Sequence, residues 1–284
     1  MLRRSLAART VAALVAALAA GVACGTSAPA AVVTPHTHAG MDMSKIGDGL
    51  AATNQGYTFD SPVTTLPPGN AQDYTFRILA PDGAPLTRYI ADQTRLMHFY
   101  AVRRDLAVYQ HLHPTMADDG TWSVALPLTE PGPWRVYASF VARTGGGKNL
   151  ALVLSRDLMV TGDYQAQALP PAAASADVDG YTVALSGPLM GAMSMPLTAH
   201  VTRAGQPVND LEPYLDAYAH LTAFRSTDLA FAHMHPGGAV ASGAHGGPDL
   251  VFQATVPGSG DYRIFLQFQT HGQLHTAALT THVG

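Results

Sequence analysis

The chain has 284 residues, 16 Lys and Arg against 20 Asp and Glu, and a single cysteine. A formal charge of −4 with only 13 % charged residues argues against nucleic acid as a partner. One Cys excludes structural disulfides, and it excludes a blue-copper centre, which needs a thiolate inside the folded domain.

In chain order, Arg3, Arg4 and Arg9 precede an unbroken Ala/Val/Leu/Gly run from Val11 to Val22. This is the pattern of a signal peptide, too short to span a bilayer. The run ends at Gly21-Val22-Ala23-Cys24, which resembles a bacterial lipobox. The resemblance implies a signal peptide over 1–23, acylation of Cys24 and a mature protein tethered to the membrane outside the cytoplasm. The rival is cleavage after Ala28-Pro29-Ala30 and release of a secreted protein. Loss of the three arginines takes the charge from −4 to −7.

Residues 24–56 are rich in Ala, Pro, Thr and Ser and read as a flexible tether. Within it, His36, His38, Met41 and Met43 supply nitrogen and thioether donors suited to copper when thiolate is absent.

Residues 57–163 carry short apolar runs separated by turn signals such as Pro81-Asp82-Gly83, Asp118-Asp119-Gly120 and Gly145-Gly146-Gly147. Strands at that spacing, with no 3.6-residue pattern, predict an antiparallel sandwich. Residues 164–177 form a Pro/Ala linker. Residues 178–284 repeat the plan, with Leu211 to Leu215 reading as a helical turn. The expected fold is all-β: two tandem Ig-like or cupredoxin-like sandwiches, each with its own core and separately foldable.

The repeat is explicit in one stretch. Arg95 to Pro114 lies over Ala217 to Pro236 at a constant offset of 122, which carries His98 onto His220, His111 onto His233 and His113 onto His235. Each unit closes on His-x-His-Pro. The two His of that motif sit at i and i+2 and so share one face of a strand. A hairpin turning near Arg104-Asp105 pairs residues whose numbers sum to about 209–211, and at either odd sum His98 faces His111 or His113. Three imidazoles then converge in each domain, a ligand set for copper, with zinc as rival. The second domain adds His275 on an inward face, and His271 beside the Gly272 turn, and is expected to bind the ion more tightly. Met190, Met193 and Met195 read as core before ligand. The opposing reading makes the histidines structural, each ring bonding a loop carbonyl. Arg103 and Arg225 are expected to hold loop carbonyls as well.

Pro213 to Leu221, Asp228 to Pro236 and His275-Thr276-Ala277 resemble a pattern of secreted actinobacterial lipoproteins with His-x-His-Pro repeats. More loosely the chain resembles YtkA-like and CopC-like β-sandwiches. That resemblance implies copper handling outside the cytoplasm and a metal-transport or metalloenzyme partner. CopC-type sites use an N-terminal histidine, which an acylated Cys24 would displace. No Gly-x-Ser-x-Gly, His-Glu-x-x-His or phosphate loop is present, which argues against an enzyme and leaves a copper oxidase or hydrolase built on the His cluster as the enzymatic alternative. The alternative to a metal-binding lipoprotein is a structural or interaction module of two Ig-like domains.

Overall fold

Period-two burial builds the strands of this computed structural model. It describes residues 41–42, 45–238, 240 and 244–284, and for Met41, Asp42 and His233 the backbone only. The signal peptide, Cys24, His36, His38 and Met43 lie outside the described residues.

The first sandwich has seven principal strands: β1 (Tyr57–Asp60), β2 (Gly69–Leu79), β3 (Met97–Arg103), β4 (Tyr109–Leu112), β5 (Trp122–Leu128), β6 (Gly132–Arg143) and β7 (Asn149–Val160). One sheet runs β7-β6-β3-β4 and the other β1-β2-β5. In β2, Tyr74, Phe76 and Ile78 point into the core while Thr75 and Arg77 do not. Phe59, Phe76, Phe99, Trp122 and Leu152 fill the space between the sheets.

The second sandwich repeats the plan with β8 (Tyr181–Ser186), β9 (Ser194–Arg203), β10 (Ala219–Arg225), β11 (Phe231–Pro236), β12 (Asp249–Thr255), β13 (Gly260–Thr270) and β14 (Gln273–Val283). Its strands form one continuous path, β8-β9-β12-β11-β10-β13-β14. β11 is the link: it pairs β10 at Phe231 and Ala232, then crosses to β12 from His233 onward. The core holds Val183, Phe252, Ile264, Leu266 and Phe268. The described chain is all-β, as expected.

A third apolar layer lies between the sandwiches. All seven residues of β3 are buried, because Phe99 and Ala101 face their own core while Tyr100 and Val102 face the second sandwich. Tyr100, Tyr137 and Val153 meet Phe224, Phe231 and Phe265 there. Tyr109 and Phe265 stack at 4.2 Å. The packing is self-complementary. Tyr100 lies 5.4 Å from Phe231, and at the equivalent positions Thr222 accepts a hydrogen bond from Tyr109 Oη at 3.3 Å. The two repeats thus meet through the same face, related by a pseudo-two-fold axis.

Several expectations change. Residues 45–56 are part of the fold rather than tether. They run along the otherwise open edge of β7, where Val153 and Ser155 N–H groups donate to Ile46 and Ala51 carbonyls. Phe231 N–H reaches across to the Asp48 carbonyl at 2.7 Å. Gly49, at φ +67°, fits because a Cβ there would lie 2.9 Å from Val153 Cγ1 and 3.1 Å from Phe231 Cβ. The linker is also fixed. Gln167 N–H donates to Asp105 Oδ2 at 2.9 Å, Ala173 N–H to the Thr280 carbonyl, and Ser175–Val178 forms a strand against β8. Leu211 to Leu215 is no helical turn. Arg103 and Arg225 bond carboxylates, Asp105 and Glu130 for the first and Asp228 for the second.

Candidate metal centre

The β3–β4 hairpin pairs Phe99 with Leu112 and Tyr100 with His111, the odd sum of 211 that places His98 opposite His113. His98, His111 and His113 therefore share the face turned toward the second sandwich. Each offers a donor atom, and the three atoms lie within 4.8 Å of one another. His220 enters from the other side of the interface, its ring 5.9 Å from His111 and 6.3 Å from His98.

The hydrogen bonds determine which nitrogens are available. A neutral imidazole has one N–H and one lone pair. His98 Nε2–H donates to the Asp92 carbonyl at 3.1 Å, so Nδ1 keeps the lone pair. His111 Nδ1–H donates to Gln267 Oε1 at 2.8 Å, so Nε2 keeps its own. These two bare nitrogens face each other at 3.0 Å. Two nitrogens each about 2.0–2.1 Å from one ion lie about 3 Å apart when the angle at the ion is near 90°, and about 3.4 Å apart in a tetrahedron. His113 Nε2 is buried with no hydrogen-bond partner. His220 Nε2–H donates to the Tyr214 carbonyl at 2.9 Å, which leaves Nδ1 as its lone-pair nitrogen.

Burial and mutual repulsion keep the rings neutral. His111 lies well below its ordinary pKa, chiefly through burial and then through His98, His220 and His113. Burial lowers His98, pushes His113 down to about 3 and brings His220 to about 4. Neutral imidazoles are the form that ligates metal.

Asp92 and Tyr214 are equivalent residues, and so are the rings that bond them. Each carbonyl opens a tight turn whose two central residues have positive φ: Gln93 (45°) and Thr94 (67°), then Leu215 (53°) and Asp216 (63°). None is Gly or Asn, the residues such a turn prefers. His98 and His220 brace these turns through Nε2 and present Nδ1 to the interface. Loop support and a donor set coexist on opposite nitrogens of one ring.

The remaining predicted donors lie elsewhere. Because β11 leaves β10 after Ala232, His233 pairs with Thr255 and His235 with Gln253, away from the ladder that would have set them beside His220. In the first sandwich the chain leaves β3 only after Leu112. The His233 side chain is outside the description. His275 points inward as expected, but into the core. β14 pairs it with Phe268, on the opposite face of the sheet from Gln267 and His220. Its Nδ1 meets Asp179 Oδ2 at 2.8 Å and its Nε2 meets Thr270 Oγ1 at 2.9 Å. His271 is exposed at the β13–β14 turn, 3.6 Å from Asp210. Among the described side chains, which do not include that of His233, the one group of three metal-type donors is in the first sandwich.

A cleft of about 890 Å³ contains none of these histidines. It is lined by Arg104, Trp134, Arg135 and Asp157, and Arg135 is paired to Asp157 at 2.8 Å.

Fold and site together define the class: two tandem antiparallel sandwiches with an imidazole cluster where they meet. Residues 176–284 match a family described as a domain of unknown function, DUF8832. No curated protein matches the chain. Among solved structures it is similar to a tetra-tandem repeat in the extending region of a large adhesion protein, at 13 % identity and TM-score 0.24, over 80 % of this chain and 49 % of that one. It is also similar to InvD of Yersinia pseudotuberculosis, at 12 % identity and TM-score 0.24, over 81 % and 58 %. The chain thus spans about half the length of these two structures.

Proposed function

We propose that the protein is a metal-binding lipoprotein, tethered outside the cytoplasm through Cys24, that takes up copper in resistance or delivery. The observation that carries this reading is the pair of bare nitrogens, His98 Nδ1 and His111 Nε2, 3.0 Å apart. His98 spends its proton on the Asp92 carbonyl, and with Gln267 Oε1 as acceptor His111 spends its own in the same way; the facing lone pairs then repel unless a cation lies between them. The unpartnered His113 nitrogen supplies a third donor beside them. A wholly imidazole set suits copper and zinc and offers nothing to the hard cations that want carboxylates. Copper is the primary assignment and zinc the rival.

A second reading has its own support. The bonds from His98 and His220 to equivalent turn carbonyls are what an interaction module with structural histidines would need. Competitive titration of the untagged full chain with Cu(II) and Zn(II) against a chromophoric chelator separates the two. One tightly held ion per chain, lost in His98→Ala and His111→Ala, supports the metal reading. Absence of uptake supports the module.

A further inference from the structure

The His111 tautomer is decided by a residue of the other sandwich. Gln267 sits on β13, paired with His220 of β10, and is buried at the interface. Its amide nitrogen lies 3.3 Å from Thr276 Oγ1 and its Oε1 lies 2.8 Å from His111 Nδ1. An acceptor at that point obliges His111 to carry its proton on Nδ1 and to present Nε2 bare toward His98 Nδ1. Without it, the favoured arrangement reverses. The proton moves to Nε2, His111 donates to His98 across the 3.0 Å gap, and the donor pair closes on itself.

We infer that Gln267 is a positioning residue for an ion held by His98, His111 and His113, so that the site is complete only while the second sandwich is docked on the first. This rests on the metal reading above and adds to it a dependence on the interface. The first repeat cannot supply the same group to itself. Gln267 aligns through strand pairing with Ser139, which β6 sets against His98, and serine has neither the reach nor the fixed acceptor of an amide.

The test uses the full chain in three forms: unchanged, Gln267→Met, which keeps the volume and removes the acceptor, and Gln267→Glu, which keeps an acceptor. Gln267→Leu replaces the Met variant if that chain does not fold. Cu(II) and Zn(II) affinities are measured by chelator competition. The tautomer of His111 is read in the metal-free chains from long-range 15N–1H correlations of the imidazoles. We expect Gln267→Met to bind about ten- to a hundredfold more weakly, the usual cost of removing a partner that orients a metal-ligating His. Its His111 proton should move to Nε2. Gln267→Glu should restore both the tautomer and most of the affinity. A Met variant with unchanged affinity and tautomer overturns the inference and leaves the metal reading standing. Weaker binding in both variants with the tautomer unmoved assigns Gln267 a packing role and also overturns it. An unchanged chain that binds neither ion overturns the metal reading and this inference with it.

Discussion

His98 and His220 occupy the same position in the two repeats, and their rings lie 6.3 Å apart across the interface. A pseudo-two-fold axis passing between equivalent residues brings them together. Among the described side chains, the donors form one cluster, at the interface. The expected stoichiometry is one tightly bound ion per chain. His98→Ala, His111→Ala and His113→Ala should each abolish or sharply weaken it, and His275→Ala should leave it intact. A stoichiometry of two, or loss in His275→Ala, would contradict this arrangement.

His275→Ala should act on stability instead. It removes the centre of a chain of hydrogen bonds that runs from exposed Asp179 through buried His275 to Thr270, and on to Tyr181 Oη at 2.8 Å. Taking the His275 partner from buried Thr270 Oγ1 costs about 1–3 kcal/mol. Chemical denaturation of the metal-free chain measures the loss, and a shift below experimental error would show that the network is dispensable.

Acid should destabilise the metal-free chain before its carboxylates titrate. The interface imidazoles have folded pKa values below the ordinary 6.5, His113 at about 3 and His220 at about 4. Between those values and 6.5 the unfolded chain binds more protons than the folded one. Their contribution is fully present above pH 6.5 and is lost as pH falls toward the folded values. The melting temperature should drop between about pH 6.5 and 4.5, while most Asp and Glu remain ionised. For the same reason, ion uptake should persist below pH 6, where ordinary histidines would already be protonated. A flat melting temperature through that interval would show that the imidazoles are not buried as described.

Phe265→Ala should uncouple the two sandwiches from one another. Phe265 stacks on Tyr109 and packs with Phe224 in the layer between the domains. Truncating a buried Phe costs about 3–5 kcal/mol. The unchanged chain should melt in one transition, and the variant in two. Residues 178–284 alone, which leave Phe224 and Phe265 without the first sandwich, should self-associate. A monomeric fragment as stable as the full chain would show that this layer contributes little.

Cys24→Ser should release the protein from the membrane fraction, or leave it with its signal peptide attached, if the thiol is acylated. Fractionation followed by mass measurement reads the outcome. Unchanged membrane association would argue for a different anchor.

Much of the fold was legible because β-structure announces itself locally. Turn residues at short spacing and the constant offset of 122 marked two sandwiches, and the odd hairpin sum put His98, His111 and His113 on one face. What was hidden is non-local. Nothing in the residues around His233 shows that β11 will leave β10 one turn of the pleat earlier than its counterpart leaves β3. Nothing near Gln267 marks it as a partner of a histidine in the other repeat. One signal was available. Met97 to Val102 and Ala219 to Phe224 are apolar at nearly every position, without the alternation of a sheet that has one wet face. Such runs report a sheet covered on both sides, and hence docked domains.

The self-complementary interface also bears on how the chain behaves in company. Each sandwich presents a face shaped for its equivalent, and 164–177 is the segment that decides whether the equivalent comes from the same molecule. Its attachments include Gln167 N–H on Asp105, Ala173 N–H on Thr280 and the Ser175–Val178 strand on β8. A chain that opens there exposes two surfaces that a second opened chain can satisfy reciprocally, by exchange of whole sandwiches. Shortening the segment should drive this exchange and yield swapped dimers, each with two interfaces built from the same contacts as the monomer's one.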